Sequence, residues 1–421
     1  MKFLYNIFIF HLELAFKTLS LFNDKIKRGL EGRKKSLEIV KANISKTDKT
    51  IWMHAASLGE YEQGLPVLEK LKEKYPNHKV LVTFFSPSGY ENVVKKNKED
   101  ILCYLPFDKK STISEFVKAV NPEIFFTVKY DFWYHLLDEL KKQNAKIYVI
   151  SALFYDKQVY FKPQGKWFVN ELKKNVDWIF HQTETSFSLA QKVGLSKGSV
   201  SGDTRFDRVK QIKNRDNFVE FIAEFKGNEK LIVFGSSWEA EEKLAQNISQ
   251  KLENFKIIIA PHDLKRVQNL KQIFPNAILY SEIVKSQNRE TENETILQIN
   301  DFTTSTVLII DCIGLLSKLY SYADIAIVGG GFHDKGLHNI LEAATFGIPV
   351  IFGNKYKKNP EADSLIAQKG GKTFDNEQQA SDFVLQLTKD SVLLDEMGEN
   401  AGNFVHNQPN SSEIILKKIL E

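Results

Sequence analysis

The pattern that most constrains this chain is an alternation, run through twice, of short apolar stretches with longer segments of helical periodicity. From Thr50 the apolar stretches are 51–55 (IWMHA), 79–85 (KVLVTFF), 101–107 (ILCYLPF), 123–128 (EIFFTV), 146–152 (KIYVISA), 178–182 (WIFHQ) and 199–202 (SVSG). Helical patterns such as Glu60–Tyr75, Thr112–Asn121 and Trp133–Gln143 lie between them. Strands that alternate with helices in this way predict parallel sheets joined by crossover helices. A polar stretch, Asp203–Asn228, breaks the rhythm. A second series then follows at 230–236, 256–261, 277–281, 306–311, 324–330 and 349–353, and 377–421 reads as helical. Two α/β halves facing one cleft are therefore expected, with the polar segment Gln287–Asp301 as a mobile loop. The domain reading is 1–22 as a membrane-associating helix, 23–208 and 209–405 as two Rossmann-like domains, and 406–421 as a C-terminal helix that can cross back to the first.

Composition sets limits on partners. With 57 Lys and Arg against 53 Asp and Glu in 421 residues, the net charge of +4 is too mild to argue for nucleic acid. Two cysteines, Cys103 and Cys312, make neither a disulfide framework nor a Cys-rich metal site.

Residues 3–22 (FLYNIFIFHLELAFKTLSLF) are mostly apolar and long enough to attract a membrane reading. Yet Asn6, Glu13, Lys17, Ser20 and Asp24 fall on one narrow stripe at helical spacing. Three placements are open: a helix lying in the membrane interface, a helix buried against the protein's own body, and a span. The interface fits best, because Glu13 and Lys17 in mid-span would be costly. The following stretch carries Lys25, Lys27, Arg28, Arg33, Lys34, Lys35, Lys41, Lys46 and Lys49 against Asp24, Glu31, Glu38 and Asp48. That is a landing patch suited to anionic lipid.

Chemistry-bearing residues cluster where strands end. DIAIVGGG ends at Gly329, Gly330 and Gly331, and HNILEAATFG reads as a helix starting near His338–Asn339. Glycines admit an anion close to backbone N–H groups, and a helix N-terminus adds a positive dipole. The run is neither a dinucleotide fingerprint nor a P-loop. Glu342 stands in the first turn, where it could accept ribose hydroxyls or complement the dipole. Ser236 and Ser237 in FGSSWEAEE, His262 in APHDLKR, and Gly314–Leu315 in DCIGLLSKLY end other strands within reach of a nucleotide. In the first half, HAASLGE offers Ser57, Gly59 and Glu60 at a helix start, and KYDFWYHLL places Asp131 and Trp133 after a strand. GDTRFDR, with Arg205, sits at the junction. There is no D-x-D and no H-E-x-x-H, and GLSKG (194–198) precedes a strand, unlike a nucleophile elbow.

Taken together, HAASLGE, TFFSPSG (83–89), GDTRFD, GSSWEAEE and ADIAIVGGGFHDKGLHNILEAA resemble the 3-deoxy-D-manno-octulosonic acid (Kdo) transferases, in order from about residue 25 to beyond 370. The resemblance implies an α/β chain of the GT-B glycosyltransferase fold, two Rossmann-like domains with parallel sheets, plus the N-terminal membrane-associated helix. It implies CMP-Kdo as donor substrate, a lipid A precursor as acceptor, and no cofactor, at the cytoplasmic face of a bacterial inner membrane. Transfer would be inverting and metal-independent, with a carboxylate base; RGLEGR (28–33) then points to Glu31. Ser57, Gly59, Glu60 and Asp131 would bind acceptor or Kdo. Arg205, Ser236, Ser237, Pro261, His262, Gly314, Leu315, Gly330, Gly336, His338, Asn339 and Glu342 would bind the CMP donor. The chain departs from the family pattern at Lys129-Tyr130-Asp131-Phe132-Trp133, where one carboxylate is lost and another shortened. It departs again at Pro261-His262-Asp263, which lacks an Arg, at Leu315, which replaces a Glu, at Arg205 in place of a Lys, and at Leu337 in place of a Gly. Two other readings stand beside this one: a GT-B transferase of another nucleotide sugar, and a non-catalytic sugar- or lipid-binding relative.

Overall fold

The computed structural model describes residues 1–287, 299–334 and 336–421. They divide into two compact units, Met1–Arg208 with Pro409–Glu421, and Val209–Gln408. Of the segment read as a mobile loop, residues 288–298 lie outside the described residues.

The first unit is built on seven strands: β1 (Thr50–Ala55), β2 (Lys79–Phe84), β3 (Ile101–Tyr104), β4 (Pro122–Val128), β5 (Lys146–Ala152), β6 (Trp178–His181) and β7 (Gly198–Val200). They pair in the order β3-β2-β1-β4-β5-β6-β7, all parallel. The helices that matter for the site are α1 (Lys2–Leu19), α2 (Asp24–Asn43), α3 (Leu58–Lys74), α4 (Pro87–Val93), α5 (Lys110–Val120) and α6 (Tyr134–Lys142). The strands read as unbroken apolar runs because both faces are covered. On one face Trp52 and Phe125 meet Val40 of α2, Ile113, Phe116 and Val117 of α5, and Leu136, Leu137 and Leu140 of α6. On the other, Ile51, Met53, Ile124 and Phe126 meet Leu65, Leu68 and Leu71 of α3.

Ile415, Leu416 and Ile419 of the last helix, Ser411–Leu420, close that second face. The buried Asp207 carboxylate holds the start of this helix by accepting the backbone N–H groups of Ser411 and Ser412 and the Ser412 hydroxyl. Gly202 is required beneath it: its φ is +90°, and a Cβ would lie 2.7 Å from Ser411 Oγ.

The second unit repeats the plan with β8 (Lys230–Ser237), β9 (Phe255–Pro261), β10 (Ile278–Leu279), β11 (Val307–Ile309), β12 (Ile325–Val328), β13 (Val350–Gly353) and β14 (Gly371–Phe374). The order is β10-β11-β9-β8-β12-β13-β14, again all parallel. Two details differ from the sequence expectation. The stretch 277–281 gives only a two-residue strand, because the Glu282 carboxylate caps a helix that starts at Tyr280 and Asp311 takes both the N–H and the hydroxyl of Ser281. The stretch Gly371–Phe374, poor in apolar residues and absent from the expected strands, is the edge strand β14, which pairs with β13.

Helix α1 is laid down inside out. Its polar side chains turn toward the first unit: the Tyr5 hydroxyl donates to Asp108 Oδ2 at 2.6 Å, Asn6 Oδ1 lies 2.7 Å from His135 Nε2, and Glu13 pairs with Lys109 and Lys17. Burial pushes the Asp108 carboxyl up to about 6, against the hydrogen bonds from Tyr5, His135 N–H and Leu136 N–H that favour its anion. Ile9 and Phe16 pack inward, whereas Phe3, Leu4, Phe8, Phe10 and Leu14 are exposed. Among the described residues no helix is long and apolar enough to cross a membrane.

His181, at the end of β6, has no exposed surface, and burial pulls its pKa down to about 4. The unfolded chain then binds this proton more tightly than the folded one. The contribution to stability is fully present above about 6.5 and is lost as pH falls toward about 4. Urea titrations across that window should show up to ~3 kcal/mol lost from this site, and His181→Gln should flatten that part of the profile.

Candidate active site

In an open parallel sheet, ligands gather at the carboxyl ends of the strands where the strand order reverses. The reversal lies between β1 and β4 in the first unit and between β8 and β12 in the second. Most of the residues singled out from the sequence sit at these two places.

In the first unit, β1 ends at His54–Ala55, and the loop to α3 supplies Ser57, Gly59 and Glu60. The Ser57 hydroxyl donates to the Glu60 carboxylate, which also lies 3.6 Å from Lys129 Nζ. Lys129 follows β4 in a left-handed conformation, φ +62°. That turn puts Asp131 within reach of the buried His54, whose Nε2 is 2.7 Å from Asp131 Oδ2. A Cβ on Gly59 would meet Ser57 Oγ only at 3.8 Å, an ordinary contact, so no steric demand explains its glycine.

Glu31 stands on α2 and is exposed, on the side away from the buried stripe Gly29, Arg33, Ser36 and Val40. The packing beneath it is tight: a Cβ on Gly32 would lie 2.3 Å from the Tyr104 ring, and one on Gly29 2.8 Å from Pro87 Cγ. Arg33 is the fastening. Its guanidinium is 7% exposed and sits against the rings of Phe16, Phe85, Tyr104 and Phe107 at 4.7–5.8 Å. It donates to the carbonyls of Gly29 and Phe85 and has no carboxylate partner among the described residues. Burial pulls its pKa down to about 10, which leaves it charged at neutral pH. Phe85 in turn stacks on Trp133 at 5.2 Å, so the helix that carries Glu31 and the loop that carries Asp131 rest on one aromatic column. Arg205 also belongs to the first unit, where its guanidinium is engaged by Asp203 at 2.7–2.8 Å. Burial opposes the Asp203 charge, but Arg205 and Gln63 hold its carboxyl below the usual range.

In the second unit, a cavity of about 590 Å³ opens beside the end of β8 and is lined by Ser236, Trp238, Pro261, His262, Gly314 and Leu316, among others. Ser236 has φ +54° there, and Ser237 is fully buried with its Oγ unpartnered. The His262 ring joins this wall to His338, centroids 4.6 Å apart. Desolvation, reinforced by His262 and His333, takes His338 down to about 4. Leu315 is not among the lining residues; its backbone starts the short helix Leu316–Leu319.

The glycine-rich turn after β12 is locked from below. The buried Glu241 carboxylate accepts the N–H groups of Gly330 and Trp238, at 3.0 and 2.9 Å. Gly330 has φ +92°, and a Cβ would fall 2.3 Å from the Gly336 carbonyl oxygen. The helix expected to start at His338–Asn339 is a correction: it runs only Leu341–Ala344. His338 N–H is taken by Gly329 O, and the Asn339 side chain caps Leu341 N–H while donating to Glu342. A single turn has little dipole, so backbone amides of the glycine run, more than a helix terminus, make up the anion-friendly part of this loop.

Three groups escaped the sequence reading. Trp238 stacks on His262 at 4.6 Å and meets His333 edge-on; the signal was an aromatic directly after a strand end. Glu241 was one of several acids in a helix start. Lys355, Lys357 and Lys358 line a cavity of about 420 Å³ with Asp334 and Gly336, beside the glycine-rich turn; the signal was the run KYKK after β13. Lys335 lies outside the described residues. Among the described residues no group of three His, Cys, Asp or Glu is arranged to hold a metal ion.

Comparison with known proteins bears on the family and the fold. Residues 31–208 match the family model described as 3-Deoxy-D-manno-octulosonic-acid transferase (kdotransferase). A 3-deoxy-D-manno-octulosonic acid transferase of Aquifex aeolicus is 27% identical over 353 residues, covering 83% of this chain and 88% of that protein. A bifunctional glycosyltransferase/methyltransferase of Fusobacterium nucleatum is 24% identical over 417 residues, 89% of this chain; the chain spans 63% of that protein's length. Among solved structures, the UDP-GlcNAc 2-epimerase of Neisseria meningitidis bound to UDP-GlcNAc aligns with a TM-score of 0.61 at 16% identity, covering 88% of this chain and 99% of that one. That likeness is one of fold: two Rossmann-like units of the GT-B class.

The lock on the glycine-rich turn is testable. Gly330→Ala should cost about 1–3 kcal/mol in urea denaturation, since it adds both backbone strain and a clash. Gly336→Ala, whose Cβ would meet nothing within 4 Å, should cost less, about 1 kcal/mol from φ alone.

Proposed function

We propose that this chain, which belongs with the Kdo transferases by sequence, moves Kdo from CMP-Kdo to a lipid A precursor. The observation that carries the reading is that the family match and the sheet-reversal site fall on the same unit, where an exposed Glu31 and a His-backed Asp131 ride on one aromatic column. In this reading Glu31 takes the proton of the acceptor hydroxyl as that oxygen attacks the anomeric carbon of Kdo. The bond from that carbon to the CMP phosphate breaks on the opposite face, so the transfer inverts and CMP leaves. Ser57, Gly59, Glu60 and Asp131 hold the acceptor sugar or the Kdo moiety.

CMP occupies the second unit. Ser236, Pro261, His262 and Gly314 line its cavity, with Ser237, Leu315, His338, Asn339 and Glu342 around it. Gly330 and Gly336 shape the turn that receives phosphate, and Lys355, Lys357 and Lys358 supply positive charge beside it. Arg205, engaged by Asp203 within the first unit, is assigned to the donor phosphate or carboxylate by its place in the GDTRFD motif. The scheme calls on no cofactor and no metal, in keeping with the lack of D-x-D in the sequence.

The inverted helix α1 supports docking on a bilayer with anionic lipid. Its apolar face is turned outward, and the exposed lysines of α2 (Lys25, Lys27, Lys34, Lys35 and Lys41) follow it in the chain. In this reading the enzyme works at the cytoplasmic face of an inner membrane, where a nucleotide-activated sugar and a lipid acceptor meet.

Mass spectrometry of a tetraacylated lipid A precursor incubated with the protein and freshly generated CMP-Kdo tests the reading. Added Kdo masses are the expected result; an unchanged lipid beside a working control transferase would overturn it. Glu31→Gln should lower kcat about 10²- to 10⁴-fold while leaving CMP affinity intact. Replacing Phe3, Phe8 and Phe10 together by Glu should abolish sedimentation with anionic vesicles at unchanged thermal stability; undiminished vesicle binding would refute the docking role.

A further inference from the structure

The interior of the first unit contains a hydrogen-bond chain that ends at the candidate acceptor site. Trp52 on β1 donates its indole N–H to Thr83 Oγ1 on β2 at 2.8 Å. Thr83 Oγ1 lies 2.9 Å from His54 Nδ1, and His54 Nε2 lies 2.7 Å from Asp131 Oδ2. Trp52, Thr83 and His54 have no exposed surface, whereas the Asp131 side chain keeps 24%.

The polarity of this chain follows from its first member. An indole N–H can only donate. Thr83 Oγ1 therefore accepts from Trp52 and gives its own proton to the next atom in line, His54 Nδ1. The His54 ring then carries its proton on Nε2, where it faces the Asp131 carboxylate. The opposite tautomer would place a proton on Nδ1 toward the Thr83 carbonyl, 3.1 Å away. It would also leave the buried Thr83 hydroxyl proton without an acceptor among the described residues and set a bare Nε2 against a carboxylate. Full satisfaction of buried groups selects the first arrangement.

We infer that His54 is a positioning residue, fixed as the Nε2–H tautomer by the Trp52–Thr83 pair, and that it holds Asp131 so that the second carboxylate oxygen receives a sugar hydroxyl. The inference rests on the reading of this site as the place of a sugar substrate. Asp131 Oδ2 is taken by His54, while Oδ1 has no partner among the described residues. The backbone carbonyl of Asp131 is held by the Thr127 hydroxyl at 3.2 Å, which limits rotation of the loop. The neighbouring Glu60 is already met by Ser57 and Lys129. Asp131 is thus the carboxylate of this patch with an oxygen both exposed and aimed by a buried donor. A polyol, which brings hydroxyl donors, is the ligand chemistry that fits.

The test combines spectroscopy with kinetics on the full chain. ¹⁵N-histidine NMR of the wild type should show His54 protonated at Nε2 and bare at Nδ1 at neutral pH. Thr83→Val should release the ring to the other tautomer. His54→Leu should lower kcat/KM for the lipid acceptor roughly 10- to 100-fold, the loss of a charge-assisted hydrogen bond, with an unchanged circular dichroism spectrum and cooperative thermal unfolding as the sign that the first unit still folds. His54→Gln, whose side-chain amide can offer an N–H near the place of Nε2, should retain most of the activity. A wild-type spectrum with the proton on Nδ1, or a folded His54→Gln as impaired as His54→Leu, would overturn the inference. A wild type that transfers no Kdo yet shows the Nε2–H pattern would sink the functional reading and leave the assignment of His54 standing.

Discussion

Strands that pair in parallel cannot be joined by tight turns, so each must be followed by a crossover that returns the chain to the far end of the sheet. Both units of this protein are held to that rule. Every described strand pair is parallel, and the central strands β1, β4, β8 and β12 are covered on both faces. One edge of each sheet therefore collects the loops that leave the strands, and the reversal of strand order parts two of those loops into a crevice. His54, Ser57, Glu60 and Asp131 are neighbours in the first unit for this reason, although nearly eighty positions separate the ends of the set. Ser236, His262, Gly314 and the glycine run come together in the second unit in the same way.

The second element of the design is a buried cation without a counter-charge. A guanidinium removed from water needs compensation, and Arg33 finds it in two backbone carbonyls and four aromatic faces. A carboxylate in the same place would have neutralised it but would have held only one neighbour. The aromatic solution joins α1 through Phe16, α2 through Arg33 itself, the end of β2 through Phe85, and the loop after β4 through Trp133. The helix with the proposed base and the loop with the proposed acceptor-binding carboxylate are thereby set relative to each other by packing.

Helix α1 shows the limit of reading amphipathicity as a direction. The narrow polar stripe was legible, because Asn6, Glu13 and Lys17 recur at helical spacing. An ordinary surface helix turns such a stripe to water. Here Tyr5, Asn6 and Glu13 find Asp108, His135 and Lys109 in the body of the unit, and phenylalanines are left outside. No rule of periodicity distinguishes the two orientations; the partners come from the β3–α5 and β4–α6 segments, a hundred or so positions away.

The sequence by itself determined the fold class. Continuous apolar runs of strand length, spaced by helical segments, admit parallel sheets and little else, and thirteen of the fourteen described strands overlap such a run. It also marked most strand-end loops as the places for chemistry, since glycines, serines and acids stand just after the runs. What it left undetermined was decided by tertiary contact. The edge strand β14 has too little apolar content to announce itself and forms because β13 offers it a partner. The helix after the glycine run shrinks to one turn, while Gly329 and Glu342 claim the groups that precede it. The proton on His54 is placed by a tryptophan and a threonine on two strands, and the Arg33 charge is held by four rings and two backbone carbonyls drawn from separate segments. Local spacing can say which side chains share a face, but hydrogen-bond polarity and desolvation depend on what the rest of the chain brings against that face.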